Sequence, residues 1–590
     1  MTATRSVLVL VAGAPAQWWR QALAPLGVTA VRELGGELED ELLVVARELA
    51  SGGRVLLVDS AAVVSTAALA RLVDDPSVGT ALLVAPEQRE AAPVRAAHGR
   101  VLSAGTVRHD VTGAQTGSLG VLTVGPRDAA AARAAVEEMA RCTRYAGWAG
   151  DVVDHTVVAL VRRGVPVSAI EAPGPAVRSP DPAVREELAR RLEEGADERA
   201  LRESGNRTDD GFYSTFVLRR LSKPLTETAV RRGLSPNQVS LASFAVGLGA
   251  AALFAVGDTG PTVVAALLLQ LSLVLDCVDG EVARRTRRFS QLGAWLDAST
   301  DRVKEFAVYA GLATAVSPHA WALAGVVLTM QTFRHMTDYD FQRVQLVRET
   351  HVPARDLDVP GDGGGPEYGS AVEASRRAGA RSWVHWAKKA VHMPIGERWL
   401  VISVGSVAVG PRATLWLLLA LGLLAIGYTA LGRTLRVVHW RQPHEDLGRR
   451  VLLPQLDLGP VGRRLWRSAL GGPVGWLAPA ALRLVELGAL LGLTHHVAPE
   501  AMGWAYALAF VLAYHHYDTL YRTLGGSVPP RWLVDAGLGV EARLLVLVVL
   551  ASLGADVLTA GLVVALVALA AWFVVVGSVQ VLGDAERSGS

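Results

Sequence analysis

Beyond Val239 the chain repeatedly runs apolar for the length of a bilayer crossing, and before residue 206 it never does. An α-helix needs about 20 apolar residues to cross the hydrocarbon core. Candidate spans are 239–256, 260–279, 293–315, 319–333, 397–410, 413–433, 477–493, 501–518, 541–556 and 558–578, a bundle of about ten transmembrane helices. With residue 1 inside the cell, the outside connections fall near 257–259, 316–318, 411–412, 494–500 and 557. Arg412 is the one Lys or Arg among them. The inside loops hold Arg284, Arg285, Arg287 and Arg288, and basic stretches over 334–398, 436–467 and 522–543. Cytoplasmic loops are the ones enriched in Lys and Arg, so the alternating path is self-consistent.

The composition agrees. Hydrophobic residues make up 51% and charged residues 19%, which excludes a disordered chain and fits a membrane protein with a soluble part. A net charge of +2 gives no reason to expect a nucleic-acid partner. Cys142 and Cys277 lie too far apart for a zinc or redox motif, and two cysteines make no disulfide framework. Only Lys223, Lys304, Lys388 and Lys389 are lysines among 58 basic residues, a bias expected of a GC-rich bacterial genome. The expected location is the bacterial inner membrane, multi-pass, with the N-terminal domain and active site on the cytoplasmic side.

Residues 1–205 alternate short Val- and Leu-rich runs with helical patterns. Val7–Val11, Arg54–Val58, Thr80–Val84, Ser118–Val124 and Val165–Ile170 read as strands; Glu37–Leu49, Thr66–Leu72, Arg127–Met139 and Val152–Arg163 read as helices. This alternation predicts an α/β domain with a largely parallel sheet. The opening run imitates a signal peptide up to Ala14-Pro15-Ala16, but it leads straight into Trp18-Trp19-Arg20 and is taken as a buried first strand. Ser179–Arg207 is charged, a linker or an amphipathic approach to the membrane. Gly361–Pro366 reads as a flexible loop. Its flank Trp383–Met393 reads equally as a surface-lying segment or an ordinary basic loop.

The second and third spans contain what apolar segments avoid. Asp276, Asp279, Asp297 and Asp301 lie within 26 residues at cytoplasmic depth. An acid there costs about 2.5–3.5 kcal/mol on insertion scales and is a functional hypothesis by default. Asp276 and Asp279 are i,i+3 and Asp297 and Asp301 are i,i+4, so each pair shares one helix face. Oxygen-only ligands favour Mg²⁺ or Mn²⁺, and two such ions clamp the entering and leaving oxygens of phosphoryl displacement. Gly280 and Ala283 leave room beside the first pair, Gly293 lies one turn before Asp297, and Arg284 is placed to reach a diphosphate.

The run Asp276-Cys-Val-Asp279-Gly280-Glu-Val-Ala283-Arg284, eight residues, then Gly293-Ala-Trp-Leu-Asp297-Ala-Ser-Thr-Asp301 resembles the CDP-alcohol phosphotransferase signature, D-x2-D-G-x2-A-R-x8-G-x3-D-x3-D, at every specified position. The basic amphipathic stretch Phe216–Arg232 and Ser235-Pro236-Asn237 resemble the family as well, and the likeness covers roughly 210–436. It implies transfer of a phosphoalcohol group, normally phosphatidyl from CDP-diacylglycerol, to a lipid or polar alcohol acceptor with release of CMP, in phospholipid biosynthesis. It further implies that Asp276, Asp279, Asp297 and Asp301 hold two metal ions and that Asp301 is the general base on the acceptor hydroxyl. Gly280, Ala283, Arg284 and Gly293 would line the CDP pocket. Members of the family often form homodimers, which leaves the assembly of this chain open.

Three domains result: 1–205 α/β, 206–440 the phosphotransferase bundle with six helices, and 441–590 a membrane region of about four helices and unassigned role. Val11–Ala14 and Val55–Asp59 resemble a sugar-phosphate nucleotidyltransferase, which in some relatives makes the CDP-alcohol. Such enzymes carry an Arg-containing glycine loop and a Pro-Lys; here the loop continues Pro15-Ala-Gln-Trp-Trp and no lysine precedes Lys223. The expectation is a degenerate domain with a regulatory or scaffolding role and Asp59 as a strand-end cap. The alternatives are a bifunctional enzyme and, in another class, a cation-coupled transporter or lipid-binding membrane protein. In Tyr514–Arg522, His515, Asp518 and Arg522 share a face, read as an interfacial anchoring belt or a second head-group site.

Overall fold

A computed structural model describes residues 7–13, 17–28, 30–75, 78–97, 99–203, 211–288, 290–316, 320–351, 391–438, 452–459, 462, 475–524 and 529–587. The loop expected at Gly361–Pro366 and most of its flank Trp383–Met393 lie outside them. The chain divides into two compact units, one built from Met1–Asn206 with 348–367 and the other from the remainder.

In the first unit the strands are β1 (Val7–Ala12), β2 (Val31–Leu34), β3 (Arg54–Asp59), β4 (Ala62–Val64), β5 (Ala81–Ala85), β6 (Pro93–Ala97), β7 (Arg100–Ala104), β8 (Thr116–Val124), β9 (Ser168–Glu171) and β10 (Ala176–Arg178). Eight form one sheet in the order β2-β1-β3-β8-β5-β9-β7-β6, and β4 pairs with β10. The helices are α1 (Gln17–Leu23), α2 (Leu38–Leu49), α3 (Thr66–Val73), α4 (Ala129–Ala146), α5 (Val152–Arg162), α6 (Pro182–Arg191) and α7 (Asp197–Glu203). Alternate residues of β1 and β3 enter two separate cores: Leu10, Val55 and Leu57 pack with α2, α4 and α5, and Val9, Leu56 and Val58 with α1 and α3. Both sheet faces are therefore covered, which is why these strands read as unbroken apolar runs.

The sheet is mixed rather than largely parallel. β1 pairs parallel with β2 and β3, and β5 with β9, but central β8 runs antiparallel to both β3 and β5. Parallel neighbours need a crossover helix, and none lies between β5 and β8; the chain turns there through the β6–β7 hairpin.

Where β3 ends, one arginine gathers three acids. Arg178 on β10 meets Asp59 at 2.6 Å, Asp151 at 3.0 Å and Asp154 at 2.9 Å. Gly120 of β8, at φ +69, admits the cluster: a Cβ there would stand 2.8 Å from both Asp59 Cβ and Arg178 Nε. Asp59 also caps its own turn, its Oδ1 accepting from Ala61 N at 2.8 Å, and Asp151 caps α5 by accepting from Val153 N and Asp154 N.

The second unit is helical: α8 (Arg219–Arg231), α9 (Pro236–Val256), α10 (Thr259–Thr286), α11 (Gln291–Thr314), α12 (Ala320–His351), α13 (Ile395–Ala408), α14 (Pro411–Val438), α15 (Ala478–Val497), α16 (Met502–Leu524), α17 (Arg531–Ala536), α18 (Gly539–Ser552), α19 (Ala555–Leu569) and α20 (Gly577–Arg587). Among the described residues five helices are long and apolar enough to cross a membrane: Pro236–Val256, Thr259–Thr286, Pro411–Thr434, Gly475–Val497 and Ala555–Gly583. The other five expected spans are helical but fall short of that measure. α13 and α18 have 14 residues each, and α11, α12 and α16 carry charged residues that face protein. Leu267, Val564 and Val567 are about two-thirds exposed on the outside of the bundle, an apolar surface suited to lipid. The architecture is that of a multi-pass membrane protein with an α/β domain in front.

Burial and then repulsion from Asp154 push the Asp151 carboxyl up to about 6, against the attraction of Arg178. The folded unit thus holds this proton more tightly than the unfolded chain, so stability drops as pH rises from about 4 to about 6 and is level above. Asp151→Asn keeps the cap and removes the titration. Its stability relative to wild type should climb across that window and then plateau, as read by amide exchange of β3 and β8 at pH 4.5 to 7.5.

Candidate active site

Four residues, Arg287–Ser290, join α10 to α11. Arg287 sits in the left-handed region at φ 56, and the Arg287 and Arg288 amides both return to the Ala283 carbonyl, which ends α10. Ser290 then opens α11 by accepting from Gly293 N at 2.9 Å. A Cβ on Gly293 would stand 2.9 Å from Ser290 Oγ and 3.1 Å from Asn237 Oδ1, so glycine lets the cap and α9 close together. On α9, Ser235 and Gln238 form a reciprocal capping box around Pro236.

This turn brings the two acidic faces together. Asp276, Asp279 and Asp297 each offer a carboxylate oxygen, all within 4.8 Å of one another. Asp301 lies one turn along α11 and is ion-paired to Lys304 at 2.9 Å. The same ammonium meets Asp276 at 2.8 Å and donates to Ser243 Oγ at 3.0 Å, with its charge 5.4 Å from the Trp399 ring. Asp279 is 4% exposed and accepts from the hydroxyl of Ser240 at 2.6 Å. Lys304 thus joins Asp276 to Asp301, and Ser240 serves Asp279. Buried acids of this density are costly without positive charge nearby, and a donor set made of oxygens suits a hard divalent ion.

The remaining sequence-derived positions surround the acids. Arg284 folds back over Gly280, its Nη1 3.2 Å from where a Cβ would stand. Ala283 lies one helical position before it, half-buried. Glu281, between the two, is not part of the cluster: it accepts from Arg219 at 2.7 Å, Ser222 at 2.7 Å and Thr226 at 2.6 Å, tying amphipathic α8 to α10.

Sequence reasoning missed Lys304, Ser240 and Ser243. Lys304 had a signal: it stands i+3 from Asp301 and i+7 from Asp297, on their face, in a chain with four lysines. The serines had none, because their contacts cross between helices. The interfacial belt expected at Tyr514–Arg522 is instead inside the protein. His515, His516, Tyr517, Asp518 and Arg522 are all at most 6% exposed, packed against α11, α15 and the chain beyond α19.

Residues 234–352, which include the four acids, match the CDP-alcohol phosphatidyltransferase family. Residues 463–587 match a family of unknown function, DUF5941. The bifunctional IPC transferase and DIPP synthase of Aquifex aeolicus is 31% identical over 148 residues, 24% of this chain and 33% of that protein. The phosphatidylinositol phosphate synthase of Mycolicibacterium smegmatis is 40% identical over 94 residues, covering 16% and 41%. The archaetidylinositol phosphate synthase of Aeropyrum pernix is 41% identical over 98 residues, covering 17% and 49%. The chain spans between a third and a half of the length of these relatives. A solved structure of the inositol-1-phosphate CTP transferase from T. maritima covers 32% of this chain and 77% of its own at 18% identity, with a TM-score of 0.22, too low to define a fold.

Removing one partner of a buried ion pair costs about 3–5 kcal/mol. Lys304→Met should lower stability by about that much in EDTA and by clearly less in millimolar Mg²⁺, where the cation takes over the charge. Thermal unfolding of the detergent-purified protein with and without Mg²⁺ checks this.

Proposed function

We propose that the protein moves a phosphoalcohol group from a CDP-alcohol, CDP-diacylglycerol in the first instance, to an acceptor alcohol and releases CMP. The observation that carries this reading is the convergence of Asp276, Asp279 and Asp297, with Asp301 beside them on Lys304, within the residues that match the family. Mg²⁺ or Mn²⁺ held by Asp276, Asp279, Asp297 and Asp301 would supply charge to the diphosphate and to the displaced oxygen. Arg284 would bind phosphate, and the small residues Gly280, Ala283 and Gly293 would let the nucleotide approach the helix backbone.

Asp301 takes the proton of the acceptor hydroxyl, whose oxygen bonds to the β-phosphorus as the bond from that phosphorus to the bridging oxygen breaks; CMP leaves with that oxygen. Lys304 fixes the Asp301 rotamer for this step. Two of the relatives above are named for inositol phosphate products, which makes a phosphorylated polyol the first acceptor class to try. The cluster would face the cytoplasm of a bacterial inner membrane in a bundle of about ten spans, with the shorter helices completing crossings through packing against longer ones.

For the N-terminal unit we propose a scaffolding or regulatory role. Arg178 already pairs with Asp59, Asp151 and Asp154, and β1 leads into a chain without lysine before Lys223. Full-length protein given CTP and a phosphorylated polyol should release no pyrophosphate.

The purified protein, given Mg²⁺ or Mn²⁺, CDP-diacylglycerol and a pool of polar alcohols and polyol phosphates, should release CMP. EDTA and Asp297→Ala should abolish release, and Asp301→Asn should slow it by about 10²-fold or more. Wild-type turnover in Asp301→Asn would remove the base assignment. No CMP from any CDP-alcohol tried, lipid or soluble, would overturn the reading.

A further inference from the structure

α11 has two working faces. Asp297, Asp301 and Lys304 lie on one, toward α9 and α10. Trp295, Arg302 and Phe306, at i, i+7 and i+11, lie on the opposite side, about 200° round from the acids. That second face is covered by α16, which belongs to the region of unknown function. The Trp295 indole N–H donates to Asp518 Oδ1 at 2.8 Å. Arg302 lies 5.7 Å from the Tyr517 ring, and His335, which accepts from Arg302 at 2.9 Å, stands 2.8 Å from the Tyr517 hydroxyl. One helical turn further, the Tyr506 hydroxyl donates to the Phe306 carbonyl at 2.7 Å.

Asp518 is itself held. Arg522 donates to its Oδ2 at 2.8 Å and is fixed in turn by the Gly577 carbonyl at 2.7 Å and Gln580 at 2.6 Å on α20. α16 is also locked at its other side. His515 meets Asp457 at 3.2 Å and His516 meets Glu486 at 2.8 Å, while Arg543 bridges both acids and Arg483 pairs with Glu486. Two buried carboxylates against two guanidiniums balance without an ion, so this knot serves rigidity. An ordinary packing helix needs neither a buried acid presented to a neighbour's indole nor a chain of three residues to hold that acid.

We propose that the C-terminal region is a brace for the catalytic helix, and that Asp518 is a positioning residue that acts through Trp295 to set where Asp297 and Asp301 stand. This rests on the phosphotransferase reading for its consequence in turnover, but not for the geometry, which amide exchange and metal binding report separately. Trp295 is two residues from Asp297, so loss of the contact lets this end of α11 shift while the Arg302–Tyr517 and Tyr506–Phe306 contacts stay. Outer partners of metal ligands typically change affinity or activity by about 10–100-fold.

The test uses the full-length protein in detergent with Trp295→Phe, which removes the donor, and Asp518→Asn, which keeps an acceptor for the indole but breaks the pair with Arg522. Three quantities are read: Mn²⁺ binding by electron paramagnetic resonance, amide exchange over Gln291–Asp301, and kcat against KM for CMP release. Trp295→Phe should raise the half-saturating Mn²⁺ concentration about 10-fold, speed exchange over Gln291–Asp301 but not in α9, and lower kcat with KM for the CDP-alcohol changed less than about twofold. Asp518→Asn should show the same changes in smaller degree.

A loss of thermal stability with Mn²⁺ binding and local exchange unchanged would overturn the proposal, as would no change in any readout. A wild-type protein that binds Mn²⁺ but releases no CMP would sink the phosphotransferase reading alone, leaving the brace to the first two measurements.

Discussion

Four carboxylates gathered inside a helical bundle are the constraint around which the second unit is arranged. At the separations seen here their repulsion is severe in a medium that screens poorly, and a buried ammonium answers part of it. Lys304 is fully buried and spans from Asp301 on its own helix to Asp276 on α10. Much of the surrounding structure follows from seating that side chain: Gly247 on α9 clears its methylenes, Ser243 takes one of its protons and Trp399 presents a ring face. The carboxylate oxygens of Asp276, Asp279 and Asp297 that lie within 4.8 Å of one another are a donor set suited to a hard divalent cation.

The C-terminal region offers the contrasting case. Asp457, His515 and His516 also bring ligand atoms within 4.8 Å of one another. There, Arg483 and Arg543 answer Asp457 and Glu486 one for one, and the ring of His515 stacks on Phe573 at 3.7 Å. With its acids paired one for one, the second cluster is a rigid joint. That joint anchors α16, and α16 backs the helix carrying Asp297 and Asp301.

In the first unit a similar accounting applies at smaller scale. One arginine serves three acids at the end of β3, and burial, with repulsion from Asp154, still holds the Asp151 carboxyl up. Asp59 was legible as a strand-end cap because a carboxylate after an apolar strand ordinarily bonds to the turn that follows. Its second partner was not legible, since Arg178 arrives from a strand 119 residues later.

The sequence by itself determined the α/β front, the apolar helices behind it, the two acidic helix faces and the short turn that opposes them, because each depends on periodicity or spacing within one or two elements. It also carried the family signature residue by residue. Only the tertiary structure decided that β8 runs against its neighbours, that Lys304 joins Asp276 to Asp301, and that the Tyr514–Arg522 segment lies within the protein instead of at a lipid interface. Those outcomes turn on which helices and strands become neighbours, and residues such as Trp295 and Asp518, 223 apart in the chain, carry no local sign that they will meet. Local order is written in neighbouring residues, whereas charge neutralisation in a bundle is settled by packing.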